Sequence, residues 1–108
     1  MPITREFRET VQTRAKADAR YRAAMLTEGI NELLGGGLGT GEAMLRDYVN
    51  ATITFERLAN ETDLPVESLQ RMLGSKGNPT AESLFAVIKS LQGAERITPA
   101  VKPTRHAA

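Results

Sequence analysis

The chain has no cysteine, no tryptophan and one histidine in 108 residues. Without thiols, disulfide frameworks and thiolate metal sites are excluded, and such a composition fits a reducing compartment. The single histidine, His106, lies in the C-terminal stretch "RITPAVKPTRHAA", with no second histidine to build a zinc site or a nucleophile–base pair. The expectation is a non-enzyme that uses no metal and no cofactor. Long apolar runs are missing as well. The stretch "MPITREFRETVQTRAKADAR" is charged throughout, which argues against a signal peptide and against a membrane span. A soluble protein of the cytoplasm is expected. Strand-length runs of β-branched residues are also absent, which leaves an all-α chain.

A chain of this length supports one domain with one modest core. Its formal net charge is +1, but the charge is unevenly spread. Arg5, Arg8, Arg14, Lys16, Arg20 and Arg22 make the first segment basic, residues 23–74 are slightly acidic, and the remainder is basic again. A basic first segment has two readings, a solvated face or an interaction surface.

Helical periodicity divides the chain. Thr4 is a good cap for a first helix carrying Phe7, Val11 and Ala15 on one stripe, and Asp18 for a second with Leu26, Ile30, Leu33 and Leu34. The stretch "GGGLGTGE", residues 35–42, raises the question of a phosphate loop. It fails the Walker pattern, because Glu42 stands where lysine is required, and no G-x-G-x-x-G can be placed in it. It reads instead as a helix C-cap and a flexible turn. From Thr40 or Gly41 a third helix turns Met44, Leu45, Tyr48 and Val49 inward and stops near Asn50.

The stretch "FERLANETDLPVESLQRMLGSKGNPT", residues 55–80, is the informative one. Thr54 caps a short helix with Leu58 and Ala59 facing in. Asp63 suits a sharp left-handed turn, Leu64 tucks into the core, and Pro65 suits the first turn of a second helix. Leu69, Met72 and Leu73 bury one face of that helix, leaving Val66, Glu67, Ser68, Gln70 and Arg71 on the other. A short helix, a tight turn and a second helix with a free polar face match a helix-turn-helix. The polar loop that begins at Gly74 offers Ser75, Lys76 and Asn78 for phosphate contacts. Thr80 caps a last helix, in which Leu84, Phe85, Ile88 and Leu91 close the core and which Gly93 ends. Against these readings, Arg71 has an alternative as the i, i+4 partner of Glu67 on a solvated face.

Residues 58–93, "LANETDLPVESLQRMLGSKGNPTAESLFAVIKSLQG", resemble the lambda-repressor-like (Xre-type) helix-turn-helix family. Within it, "GNPT" followed by "LFAVIKSLQG" is similar to the small HigA-like addiction-module antidote proteins, partners of RelE/HigB-type toxins. The resemblance implies a five- to six-helix lambda-repressor-like domain that binds operator DNA as a homodimer. It further implies repression of its own operon and neutralisation of a RelE/HigB-like toxin. By position it assigns base reading to Val66, Glu67, Gln70 and Arg71, and places Ser68 near the DNA backbone. Two positions depart from the pattern: Asp63 stands where glycine is usual, and Val66 where glutamine is frequent, which removes a bidentate adenine reader. The implied organisation is an N-terminal helical extension over residues 1–39, a DNA-binding core over 40–93 with the motif at 55–74, and a disordered tail over 94–108. The alternative is a stand-alone regulator or a protein-binding adaptor without a toxin partner, favoured by the acidic character of the motif.

Overall fold

The computed structural model describes residues 4–107. Each helix starts where the sequence supplies an N-terminal acceptor or a turn. Helix α1 (Arg5–Ala17) begins at Thr4, whose side chain accepts from the Phe7 N–H, and α2 (Ala19–Leu34) begins at Asp18, which accepts from the Arg20 and Tyr21 N–H groups. Helix α3 (Leu38–Ala51) follows the Gly35–Gly37 turn, α4 (Phe55–Thr62) follows Thr54, α5 (Val66–Met72) follows Pro65, and α6 (Ala81–Glu95) follows Thr80. The described residues contain no strand, in keeping with the all-α expectation.

One core joins the helices. Leu26 of α2, Leu45, Tyr48 and Val49 of α3, Leu58 of α4, Leu69 of α5 and Leu91 of α6 belong to a single buried cluster. The α2–α3 pair is the tightest contact, and two glycines allow it. A Cβ on Gly29 would lie 3.1 Å from a Leu45 methyl, and one on Gly41 would lie 2.7 Å from Leu33 and 3.1 Å from the Gly29 carbonyl. The glycine-rich stretch is therefore mostly helix. Only Gly35–Gly37 turn, and Gly39 and Gly41 lie inside α3, which begins earlier than the expected Thr40 or Gly41.

Three expected core positions are exposed: Phe7 at 57%, Leu34 at 61% and Phe85 at 61%. For Phe85 the reason is helical phase. The inward stripe of α6 runs Leu84, Val87, Ile88, Leu91, at i, i+3, i+4 and i+7, and Phe85 lies a third of a turn outside it. Val87, which the sequence reading passed over, takes the core place. Leu34 is the last residue of α2, beside the turn. Helix α6 also runs through Gly93 to Glu95, and Arg96 closes it in the left-handed region at φ 59°.

Two features hold the ends of the fold. Glu95 on α6 accepts from Arg22 Nε on α2 at 2.8 Å and from the Tyr48 hydroxyl on α3 at 2.6 Å. Arg22 Nη1 reaches on to the Ala15 carbonyl at the end of α1, at 2.7 Å. Four helices thus meet at one network. Ile97, just past α6, also packs on the core, and residues 97–107 carry no secondary structure.

Glu42 is buried, and its Oε2 has no hydrogen-bond partner. Burial raises its pKa above the usual 4.5. The folded chain then binds this proton more tightly than the unfolded chain, so stability is greatest below the unfolded value and falls as pH rises towards the folded one. Glu42→Gln is expected to gain stability over the parent above that window and not below it. Urea denaturation of both proteins on either side of the window checks this.

Candidate nucleic-acid interface

Helix α4 is set by its caps. Thr54 Oγ1 accepts from the Arg57 N–H at 3.4 Å, and Thr54 adopts φ 73°, ψ 154°, an unusual conformation for a β-branched residue. A hydrogen bond from its N–H to the Val49 carbonyl at 2.9 Å fixes that corner. At the other end Asp63 takes φ 58°, ψ 34°, the left-handed turn expected of it. Leu64 packs against the core and Pro65 is extended at ψ 147°. Pro65 therefore precedes the second helix as its N-cap, and Val66 is the first helical residue, one position later than the sequence reading.

Along α5 successive residues step about 100° around the helix axis. Leu69 and Met72 are buried, and so is the following Leu73. Glu67, Gln70 and Arg71 are exposed together on the opposite side, with Ser68 half-buried. Val66 is half-buried and packs on the core, so less of it faces outward than of the other three positions assigned to base reading. The Glu67–Arg71 pair is not formed: the described ion pairs are Arg5–Glu9, Arg22–Glu95 and Arg57–Glu61.

The end of α5 is built from elements distant in sequence. Arg46 Nη1 on α3 donates to the Leu73 carbonyl at 3.1 Å, meeting the negative end of the helix with a cation. The chain then folds back. Gly74 N–H donates to the Arg71 carbonyl at 3.1 Å, and Gly77 N–H to the Gly74 carbonyl at 3.0 Å. Gly77 lies against the backbone of Arg71 and Met72 so closely that a Cβ there would meet their carbonyl oxygens, Met72 O at 2.5 Å. Ser75, Lys76 and Asn78 stand exposed on this loop, beside the α5 C-terminus. Thr80 Oγ1 accepts from the Ser83 N–H at 3.1 Å and starts α6.

The surrounding charge is mixed. Glu61 is engaged by Arg57 at 3.4 Å and by the Ser90 hydroxyl at 2.9 Å, whereas Glu56, Asp63 and Glu67 are exposed. Among the described residues no group of histidines and carboxylates is arranged to hold a metal ion, and no helix is long and apolar enough to cross a membrane. No family model, curated protein or solved structure matches the chain. Arg46 and Gly77 are the supporting residues that sequence reading missed. Arg46 acts 27 residues away from its acceptor, a distance at which no local pattern reports it. Gly77 had a signal, a glycine in a polar loop, but nothing in the sequence named the backbone it would touch.

Proposed function

We propose that the chain is a DNA-binding transcriptional repressor acting as a homodimer, and the antitoxin of a toxin–antitoxin operon whose toxin is RelE/HigB-like. The observation that carries the DNA reading is the exposed row Glu67, Gln70 and Arg71 on a short helix whose other face, Leu69 and Met72, is buried. Such a helix, presented by a left-handed turn at Asp63, has the form of a reading helix for the major groove. Arg71 would pair with guanine O6 and N7, Gln70 with adenine, and Glu67 would accept from cytosine N4. Val66 would offer a methyl contact to thymine from the helix start. Ser68, Ser75, Lys76 and Asn78 would hold phosphates, which fix register without reading sequence. The antitoxin assignment is supported by the resemblance of "GNPT" and "LFAVIKSLQG" to that family.

Arg71→Ala is expected to weaken binding to the chain's own upstream DNA by about 1–3 kcal/mol and to leave the fold intact. Equal weakening on random DNA would show that Arg71 reads no base. Co-purification of the chain with the product of an adjacent toxin-sized gene tests the second half of the reading; a protein that purifies alone from cells expressing both would remove it. The exposed carboxylates of Glu56, Asp63 and Glu67 favour a second reading, an adaptor that grips a protein through the same face.

A further inference from the structure

Helix α1 is held unevenly. Its C-terminal end is fixed by the Arg22 bond to the Ala15 carbonyl, and Ala15 is fully buried. Residues 4–10 are exposed along their whole length. Gln12, whose amide donates to the Asn50 carbonyl at 3.4 Å, is the last polar tie before that exposed half. A helix of 13 residues is marginal in water unless an apolar face is packed. Here that face is Phe7 and Val11, one turn apart, and it looks onto an open groove of about 850 Å³. Tyr21, Met25 and Met44 line the opposite wall.

The two walls differ in charge. Arg8 stands on the α1 side, while Glu28 of α2 and Asp47 of α3 stand on the other beside Arg46, whose guanidinium donates to the Leu73 carbonyl. Arg8, Glu28 and Asp47 form no ion pair with a described residue. A basic wall carrying an exposed apolar knob, facing a wall of net negative charge, is complementary to itself under a two-fold rotation. In such a contact residue i of one copy meets residue j of the other, and j meets i.

We propose that this groove is the homodimer interface. The α1 helix of each copy lies in the groove of the other, with Phe7 packed against Met25 and Met44 of the second copy and Arg8 facing the second copy's Glu28. This deepens the reading above, since a repressor acting on paired half-sites requires a two-fold dimer. It also gives the basic first segment a structural task, and it closes the apolar groove to water.

The test is the oligomeric state of the full chain by sedimentation equilibrium, with DNA affinity measured separately. The wild-type chain is expected to be a dimer at micromolar concentration. Phe7→Glu should weaken dimerisation about tenfold or more, and circular dichroism should show an unchanged helical fold because Phe7 is 57% exposed. Arg8→Glu and Glu28→Arg should each weaken the dimer, and the double variant should recover it. A monomeric wild-type chain, or a dimer indifferent to Phe7→Glu, overturns the interface. DNA binding that persists alongside such an indifferent dimer leaves the repressor reading standing and removes only the interface. A dimer that follows the expected pattern but binds no DNA does the reverse.

Discussion

Glu95→Ala is expected to lower the unfolding free energy by about 3–5 kcal/mol, the cost of breaking one partner out of a buried ion pair. The Glu95 side chain is 6% exposed. Removing it strips the partner from the Arg22 guanidinium and from the Tyr48 hydroxyl, a group that is 1% exposed as a residue. Arg22 keeps some access to water, with its side chain 28% exposed, which places the expected loss at the lower end of that range. The same network raises the Tyr48 pKa, through burial first and then through the Glu95 hydrogen bond and charge. Glu95→Gln retains an acceptor for Tyr48 and loses the charge on Arg22, so it should cost less, about 1.5–3 kcal/mol. By contrast, Glu9→Ala breaks the exposed Arg5 pair and should change stability by no more than about 1 kcal/mol. Urea denaturation of the three variants gives the comparison. A second readout is hydrogen exchange in α1. Its C-terminal carbonyl at Ala15 is held by Arg22, so Glu95→Ala should speed exchange there.

Gly77→Ala is expected to cost about 1–3 kcal/mol through overpacking, and to weaken DNA binding on every sequence alike. The obstacle is backbone rather than a flexible side chain: the new methyl would meet the carbonyl oxygens of Arg71 and Met72. The loop must lift off α5 to admit it. Ser75, Lys76 and Asn78 move with it, and these are the residues proposed to hold phosphates. Uniform loss distinguishes this variant from Arg71→Ala, whose loss should depend on sequence. Gly93→Ala provides the control. A Cβ there meets nothing within 4 Å, and the position lies inside α6, so alanine should stabilise by about 0.5–1 kcal/mol. Thermal denaturation of the two glycine variants should therefore shift in opposite directions.

What the sequence disclosed was the local chemistry. Thr4, Asp18, Thr54 and Thr80 were legible as caps, because each places a short oxygen-bearing side chain before an apolar repeat, and all four accept from the first turn of their helices. The left-handed turn at Asp63 and the burial of Leu69, Met72 and Leu73 were legible for similar reasons. The failures came from phase and from distance. Phe85 and Val87 differ only in which side of α6 they occupy, and a stripe of neighbouring apolar residues leaves that phase undecided until the partner helices are known. Gly39 and Gly41 signal a turn by propensity, yet both lie inside α3, and Gly41 serves close packing on Leu33 and the Gly29 carbonyl, a tertiary demand that outweighs propensity. The Arg22–Glu95–Tyr48 network and the Arg46 bond to Leu73 join residues far apart in the chain. Periodicity carries no record of them.

The claim on which the functional account rests is that the exposed face of α5 and the adjoining loop enter duplex DNA. Its most direct test is the salt dependence of binding between the full chain and its own upstream DNA, measured for the parent and for Lys76→Ala. Log affinity is expected to fall steeply and linearly with log salt, and the slope to be shallower by about two in the variant, one phosphate contact being lost from each protomer of the dimer. Affinity indifferent to salt, or a slope that Lys76→Ala leaves unchanged together with undiminished binding by Arg71→Ala, would contradict that claim.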